Sequence, residues 1–264
     1  MATDHWTRDQ LKLAFYLYCQ LPFGRLHQYN PEIVELSSLI GRTPSALAMK
    51  LVNIASIDPA ITSTGRSGLG HASALDREIW EQFHADWDAL ATECAMLKSK
   101  LTEDRFVIND SAVDEVETDY SAIDQEAVGL VRVKQNFFRR AVLSSYRGRC
   151  CMSGVSDSRL LVASHIVPWS QDRANRLNPS NGLCLSAIHD KAFDRGLITL
   201  SDDHCVVVSA ALRRSPDEFL QENLVRLEGQ VIELPERFRP TEEFIAIHRA
   251  IVFENDLTAS NNES

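Results

Sequence analysis

The residues best suited to chemistry lie between positions 159 and 200, in the phrases RLLVASHIVPW and NPSNGLCLSAIHDKAFDRGLITL. They are His165, Asn181, His189, Asp190 and Asp194. An imidazole with an ordinary pKa of about 6.5 can take up and release a proton near neutral pH. Aspartate oxygens are hard ligands suited to Mg²⁺ or Mn²⁺. Asp194 follows Asp190 by four residues, so on a helix the two share a face. A lone histidine at a strand end or a lone Asn-Gly turn is commonly structural, so only the ordered combination carries weight.

Those side chains need elements to position them. RLLVA (159–163) reads as a short strand that delivers Ser164 and His165, and Pro168 ends it by lacking a ladder donor. A mostly polar and basic seven-residue stretch, SQDRANR, comes next, and then a turn at 178–182. Leu183, Cys184 and Leu185 form a second strand. Ser186 opens a helix that Gly196 closes, and a final strand spans 197–200. Upstream, 135–146 is a helix with Phe137, Phe138, Val142 and Leu143 inward and Arg139 and Arg140 outward.

Strand, loop, strand and helix, with His on the first strand, Asn at the second and His-Asp on the helix, resembles the ββα-metal motif of the HNH endonuclease superfamily. The bacterial restriction-type HNH group is the most similar. SHIVPW, NGLCLSAIHDKAFDRGLI and the upstream FRRAVLSSYRGRC carry the resemblance, and FIAIHRAIVF resembles that group's closing helix. It covers about residues 131–253. The resemblance implies an α+β fold, a ββα-metal nuclease domain preceded by an α-helical N-terminal domain. It implies His165 as general base and Asn181 as the residue that holds the loop and orients that base. It also implies Asp190 as metal ligand, His189 as an alternative ligand or third catalytic residue, and Asp194 as a second ligand or brace. Mg²⁺ or Mn²⁺ would neutralise charge on the scissile phosphate and leaving oxygen. Two positions depart from the family. Ser164 stands where many relatives place an acidic or histidine ligand. CCMSG (150–154) is all that remains of a CxxC pair, with no second pair downstream, so structural zinc is not expected.

The charge pattern agrees with a polyanion partner for one segment only. The net charge is −10, yet residues 130–200 hold 11 Lys and Arg against 4 Asp and Glu. Such a local basic stretch is the electrostatic footprint of a nucleic-acid site. Arg139, Arg140, Arg147, Arg173, Arg176 and Lys191 are the expected DNA contacts.

The first 102 residues read as a helical domain for recognition or dimerisation. Pro31 and Pro44 suit first helical positions, Thr43 a cap and Gly41 a stop, giving two short helices around a tight turn, a helix-turn-helix-like unit. The loop 61–72 reads as a connector. Residues 74–101 read as one long amphipathic helix whose Trp80, Phe83 and Trp87 serve either a core or a homodimer interface. An acidic linker, 103–126, leads to the nuclease domain at 127–264. His5, His27, His71, His84, His204 and His248 lack a chemical context.

At 44% hydrophobic and 24% charged the chain is an ordinary globular protein, not a disordered or collagen-like one. No apolar run approaches the ~18 residues of a membrane span, no leader is visible, and six cysteines are expected as free thiols, which together suggest a cytoplasmic location. The expected function is metal-dependent DNA hydrolysis in restriction or defence. Two alternatives are a non-catalytic DNA-binding protein with a remnant nuclease fold, favoured by Ser164, and a nuclease toxin or effector controlled by a partner.

Overall fold

The computed structural model describes residues 5–65, 70–102 and 125–254. The acidic stretch expected as a linker therefore lies, for residues 103–124, outside the described residues, as do positions 66–69 of the glycine loop. The chain divides into two compact units, 1–140 and 141–264.

The first unit is helical: α1 (Arg8–Gln20), α2 (Pro31–Leu39), α3 (Pro44–Ala55), the short α4 (Pro59–Thr62), α5 (Ala74–Ala85), α6 (Trp87–Thr102) and most of α7 (Gln125–Ser145). Sequence signals place the ends. Thr7 and Gln10 form a capping box, Asn30 and Thr43 cap α2 and α3 ahead of their prolines, and Gly41 turns the chain between them at φ +67°. α1 is buried almost all round because α3, α5 and α6 pack against it. The expected single helix over 74–101 is two helices. Asp86 leaves helical geometry (φ −149°, ψ 88°) and its Oδ1 accepts the Ala89 amide at 2.9 Å, starting α6 afresh.

The aromatic residues between these helices fill the core. Phe83 and Trp87 are buried and ring on Phe15, while Trp80 stacks on His84 at 4.0 Å. The interface reading of these aromatics therefore loses its basis, because all three pack on rings inside their own unit. α7 joins the same core. Phe137 stacks on Tyr16 at 4.9 Å and on Trp87 at 6.3 Å, and Lys134 and Arg140 pair with Asp88 and Glu32. The cation of α3, Lys50, is buried and bound by both oxygens of Asp76 at 3.0 and 3.1 Å, and Arg42 lies over the Trp6 ring. The α2–α3 pair thus turns its positive charges to partners within the unit.

In the second unit, β1 (Leu161–His165) and β2 (Gly182–Ser186) are antiparallel, with Leu161 opposite Ser186 and His165 opposite Gly182. β2 is wholly buried, and on its other side the Cys151 amide donates to the Cys184 carbonyl at 2.8 Å. α8 (Ala187–Asp194) starts directly from β2 and packs on both strands. β3 (Ile198–Leu200) pairs with β4 (Val206–Val208), and α9 (Ala210–Arg213), α10 (Glu218–Asn223) and α11 (Glu242–Ile251) complete the unit. Gly196 ends α8 at φ +72°, and α11 runs so close that a Cβ there would stand 2.1 Å from the Val252 carbonyl oxygen. His248 of α11 stacks on Phe193 at 3.7 Å, donates from Nε2 to the Phe193 carbonyl and accepts the Thr199 hydroxyl at Nδ1. Among the described residues no helix is long and apolar enough to cross a membrane.

Candidate active site

His165 is the last residue of β1, where the hairpin opens into the loop 166–181. Its Nε2 lies 2.9 Å from the Arg176 carbonyl oxygen. A carbonyl can only accept, so Nε2 carries the hydrogen and Nδ1 is the lone-pair nitrogen of the neutral ring. Burial lowers the ring's pKa below the usual 6.5, against the raising effect of that hydrogen bond. The imidazole is therefore held neutral and in one tautomer, the state a proton acceptor needs.

The loop is closed by Asn181, which is 1% exposed. Its Oδ1 accepts the Val167 amide at 2.8 Å, its Nδ2 donates to the Val167 and Asn175 carbonyls, and its own carbonyl accepts the Ile166 amide. With its polar atoms engaged in the loop, Asn181 holds the backbone beside His165.

Asp190 lies in the first turn of α8, half-buried, and burial raises its pKa. Beside it is Ser164, whose hydroxyl is 3% exposed and has no hydrogen-bond partner in the usual range, yet lies close enough to pull the Asp190 pKa back down. Asp194, one turn on, has its pKa raised by partial burial and by the Asp190 charge. Two carboxylates and an orphaned buried hydroxyl are oxygen donors that fit a hard divalent ion. Among the described residues no cluster of three or more His, Cys, Asp or Glu could hold a metal ion.

His189 is elsewhere. It is buried, its Nδ1 accepts the Ser186 hydroxyl at 2.6 Å with Cys150 Sγ at 3.7 Å, and its Nε2 donates to the Asn223 carbonyl at 3.3 Å. Both nitrogens of this ring, expected as a third catalytic residue or alternative ligand, are engaged with Ser186 and Asn223. Burial raises the Cys150 thiol, but hydrogen bonding with His189, Ser153 and the Met152 backbone outweighs it and brings the pKa down to about 6. No local pattern announces this polar knot, because its members come from positions 150, 186, 189 and 223.

The expected cationic contacts divide. Arg139 and Arg140 fall in the first unit, Arg140 paired with Glu32. In the second unit Arg173 and Lys191 are exposed, and Arg147 is exposed with Glu236 3.8 Å away. Arg176 turns its guanidinium onto Trp169.

No curated protein matches the chain closely enough to name. Residues 150–201 match a family model described as HNH endonuclease. That match spans His165, Asn181 and Asp190 as well as β1, β2 and α8, so this stretch of the chain is similar to HNH endonuclease domains.

Proposed function

We propose that the protein is a divalent-metal-dependent endonuclease that hydrolyses DNA phosphodiesters, with a ββα-metal site formed by β1, β2 and α8 and with His165 as its general base. The observation that carries this reading is the state of His165. Its Nε2–H is tied to a main-chain carbonyl, its ring is neutral, and the lone pair on Nδ1 is the group that can accept a proton from attacking water. Asn181 keeps the strand-to-loop junction in place while the base works. Asp190 and Ser164, with Asp194 one turn away, are the oxygens that would hold Mg²⁺ or Mn²⁺, which would neutralise charge on the scissile phosphate and leaving oxygen. Arg173 and Lys191 are exposed cations of this unit that would meet flanking phosphates. A restriction or defence role in the cytoplasm is the setting that the likeness to restriction-type HNH proteins suggests.

The test is cleavage of supercoiled plasmid DNA with Mg²⁺ or Mn²⁺. Cleavage should be abolished by EDTA and by His165→Ala, while His165→Ala still melts as a folded protein. Full activity in that variant would remove His165 from the chemistry. Plasmid binding without cleavage under either metal would instead favour a DNA-binding protein with a remnant nuclease fold.

A further inference from the structure

The loop 166–181 holds an arrangement that base and metal ligands alone do not require. Arg176 presents two groups to it. Its main-chain carbonyl accepts from His165 Nε2 at 2.9 Å, while its side-chain Nε donates to the Trp169 carbonyl at 2.7 Å. The guanidinium also lies over the Trp169 ring, 5.0 Å from the centroid, and that ring meets the His165 imidazole edge-on at 5.4 Å and 87°. His165, Trp169 and Arg176 therefore close a cycle in which each touches the other two.

We propose that Arg176 is a positioning residue for His165: its guanidinium grips the Trp169 carbonyl and ring, and thereby fixes the carbonyl that holds the imidazole. The physical reason lies in connectivity. Side chain and carbonyl share one Cα, so anchoring the first restricts the peptide plane that carries the second. The neighbouring backbone is anchored as well. Asp172 accepts the amides of Ala174 and Asn175, and the Asn175 amide group donates back to Asp172. Leu177 is 2% exposed, so the chain on the far side of Arg176 is held by burial. Only the loop tip, at Ser170, Gln171, Arg173 and Ala174, faces solvent. An arginine that served chiefly as a phosphate contact would keep its guanidinium for the ligand. Here its Nε–H and its face are both engaged inside the loop.

The inference rests on His165 being the base, but one readout is independent of cleavage. Long-range ¹H–¹⁵N NMR at alkaline pH reports which ring nitrogen carries the hydrogen, with His165→Gln supplying the assignment. The full-length protein should show the Nε2–H tautomer, and Arg176→Met should show exchange between tautomers. On supercoiled plasmid with Mn²⁺, Arg176→Met should lower the saturating rate at least tenfold and leave the half-saturating DNA concentration within about twofold. Its salt dependence of binding should stay unchanged, whereas Arg173→Met should flatten the log–log slope by about 0.9. Arg176→Lys should recover part of the rate, because an ammonium can still reach the Trp169 carbonyl. If Arg176→Met does not fold, Trp169→Phe, which keeps a ring and the backbone, should show the same pattern with about a threefold loss of rate. A locked tautomer in Arg176→Met, or a raised half-saturation with an unchanged rate, would overturn the proposal. A wild-type protein that does not cut plasmid would refute the nuclease reading, while the tautomer would still decide the role of Arg176.

Discussion

One step along α8 separates His189 from Asp190, a rotation of about 100°. That rotation sends the imidazole into the core, to Ser186 and Asn223, and the carboxylate to Ser164. The sequence makes both residue types legible and even their spacing from Asn181. It does not show which of two adjacent helical positions faces the strand, because that is settled by packing between distant segments. The electrostatics yield a paired outcome. A carboxyl whose folded pKa is raised by burial is held at a cost once it ionises, so above that pKa it reduces stability. Asp190→Asn removes the charge and is expected to raise the melting temperature at neutral pH. The same variant should lose at least tenfold in plasmid cleavage, about 1.4 kcal/mol of transition-state stabilisation or more. His189→Ala should behave in the opposite sense, with a lower melting temperature from the unpaired Ser186 hydroxyl and Asn223 carbonyl, on the order of 1–3 kcal/mol by urea unfolding. If Asp190→Asn cuts normally, the oxygen site lies elsewhere.

At the scale of elements, punctuation was the readable part. Pro31, Pro44, Thr43 and Gly196 mark helix ends in the sequence and do so in the fold, because caps and stops are local chemistry. The break at Asp86 was not readable. Ile79, Phe83, Trp87 and Leu90 keep a helical spacing straight across it, so the apolar pattern hides the cap. Gly196 also shows what the pattern omits, since its left-handed backbone is local but the approach of Val252 is not. Gly196→Ala should destabilise the second unit by about 2–4 kcal/mol from backbone strain and overpacking, read by chemical denaturation. His248 supplies a pH dependence. Burial lowers its folded pKa to about 4, against an ordinary value of about 6.5. Between those values the unfolded chain binds the extra proton, so stability is complete above the upper one and falls as the pH drops towards the lower. Unfolding at pH 5 rather than pH 7 should show a loss on the order of 2 kcal/mol from this group alone. His248→Gln should remove that part of the pH dependence, and an unaltered acid limb would count against it.

At the scale of the molecule, the basic stretch read from composition does not translate into one row of free cations. Lys134 and Arg140 pair with Asp88 and Glu32, Arg159 pairs with Asp157, and Arg176 is turned onto Trp169. Composition counts charges, and folding decides which of them still face solvent. The division at residue 140 falls inside α7, whose Phe137 belongs to the aromatic core of the first unit. Two compact units predict two calorimetric transitions. Phe137→Ala should lower one of them, that of the unit holding Tyr16 and Trp87, at a cost of about 3–5 kcal/mol, and leave the other in place. Equal shifts in both transitions would show that the units unfold as one.

The acceptor for His165 Nε2 belongs to the main chain, eleven residues along from the ring it holds. No side-chain replacement can delete a carbonyl, so the proton acceptor is insulated from most point mutations in the loop and exposed to changes in loop length. Exchanging the exposed Ser170 or Gln171 should be almost silent, whereas removing a single residue from 170–175 should shift every later carbonyl out of place and inactivate the protein. In an evolving population this site would tolerate spelling changes in that stretch and reject insertions and deletions.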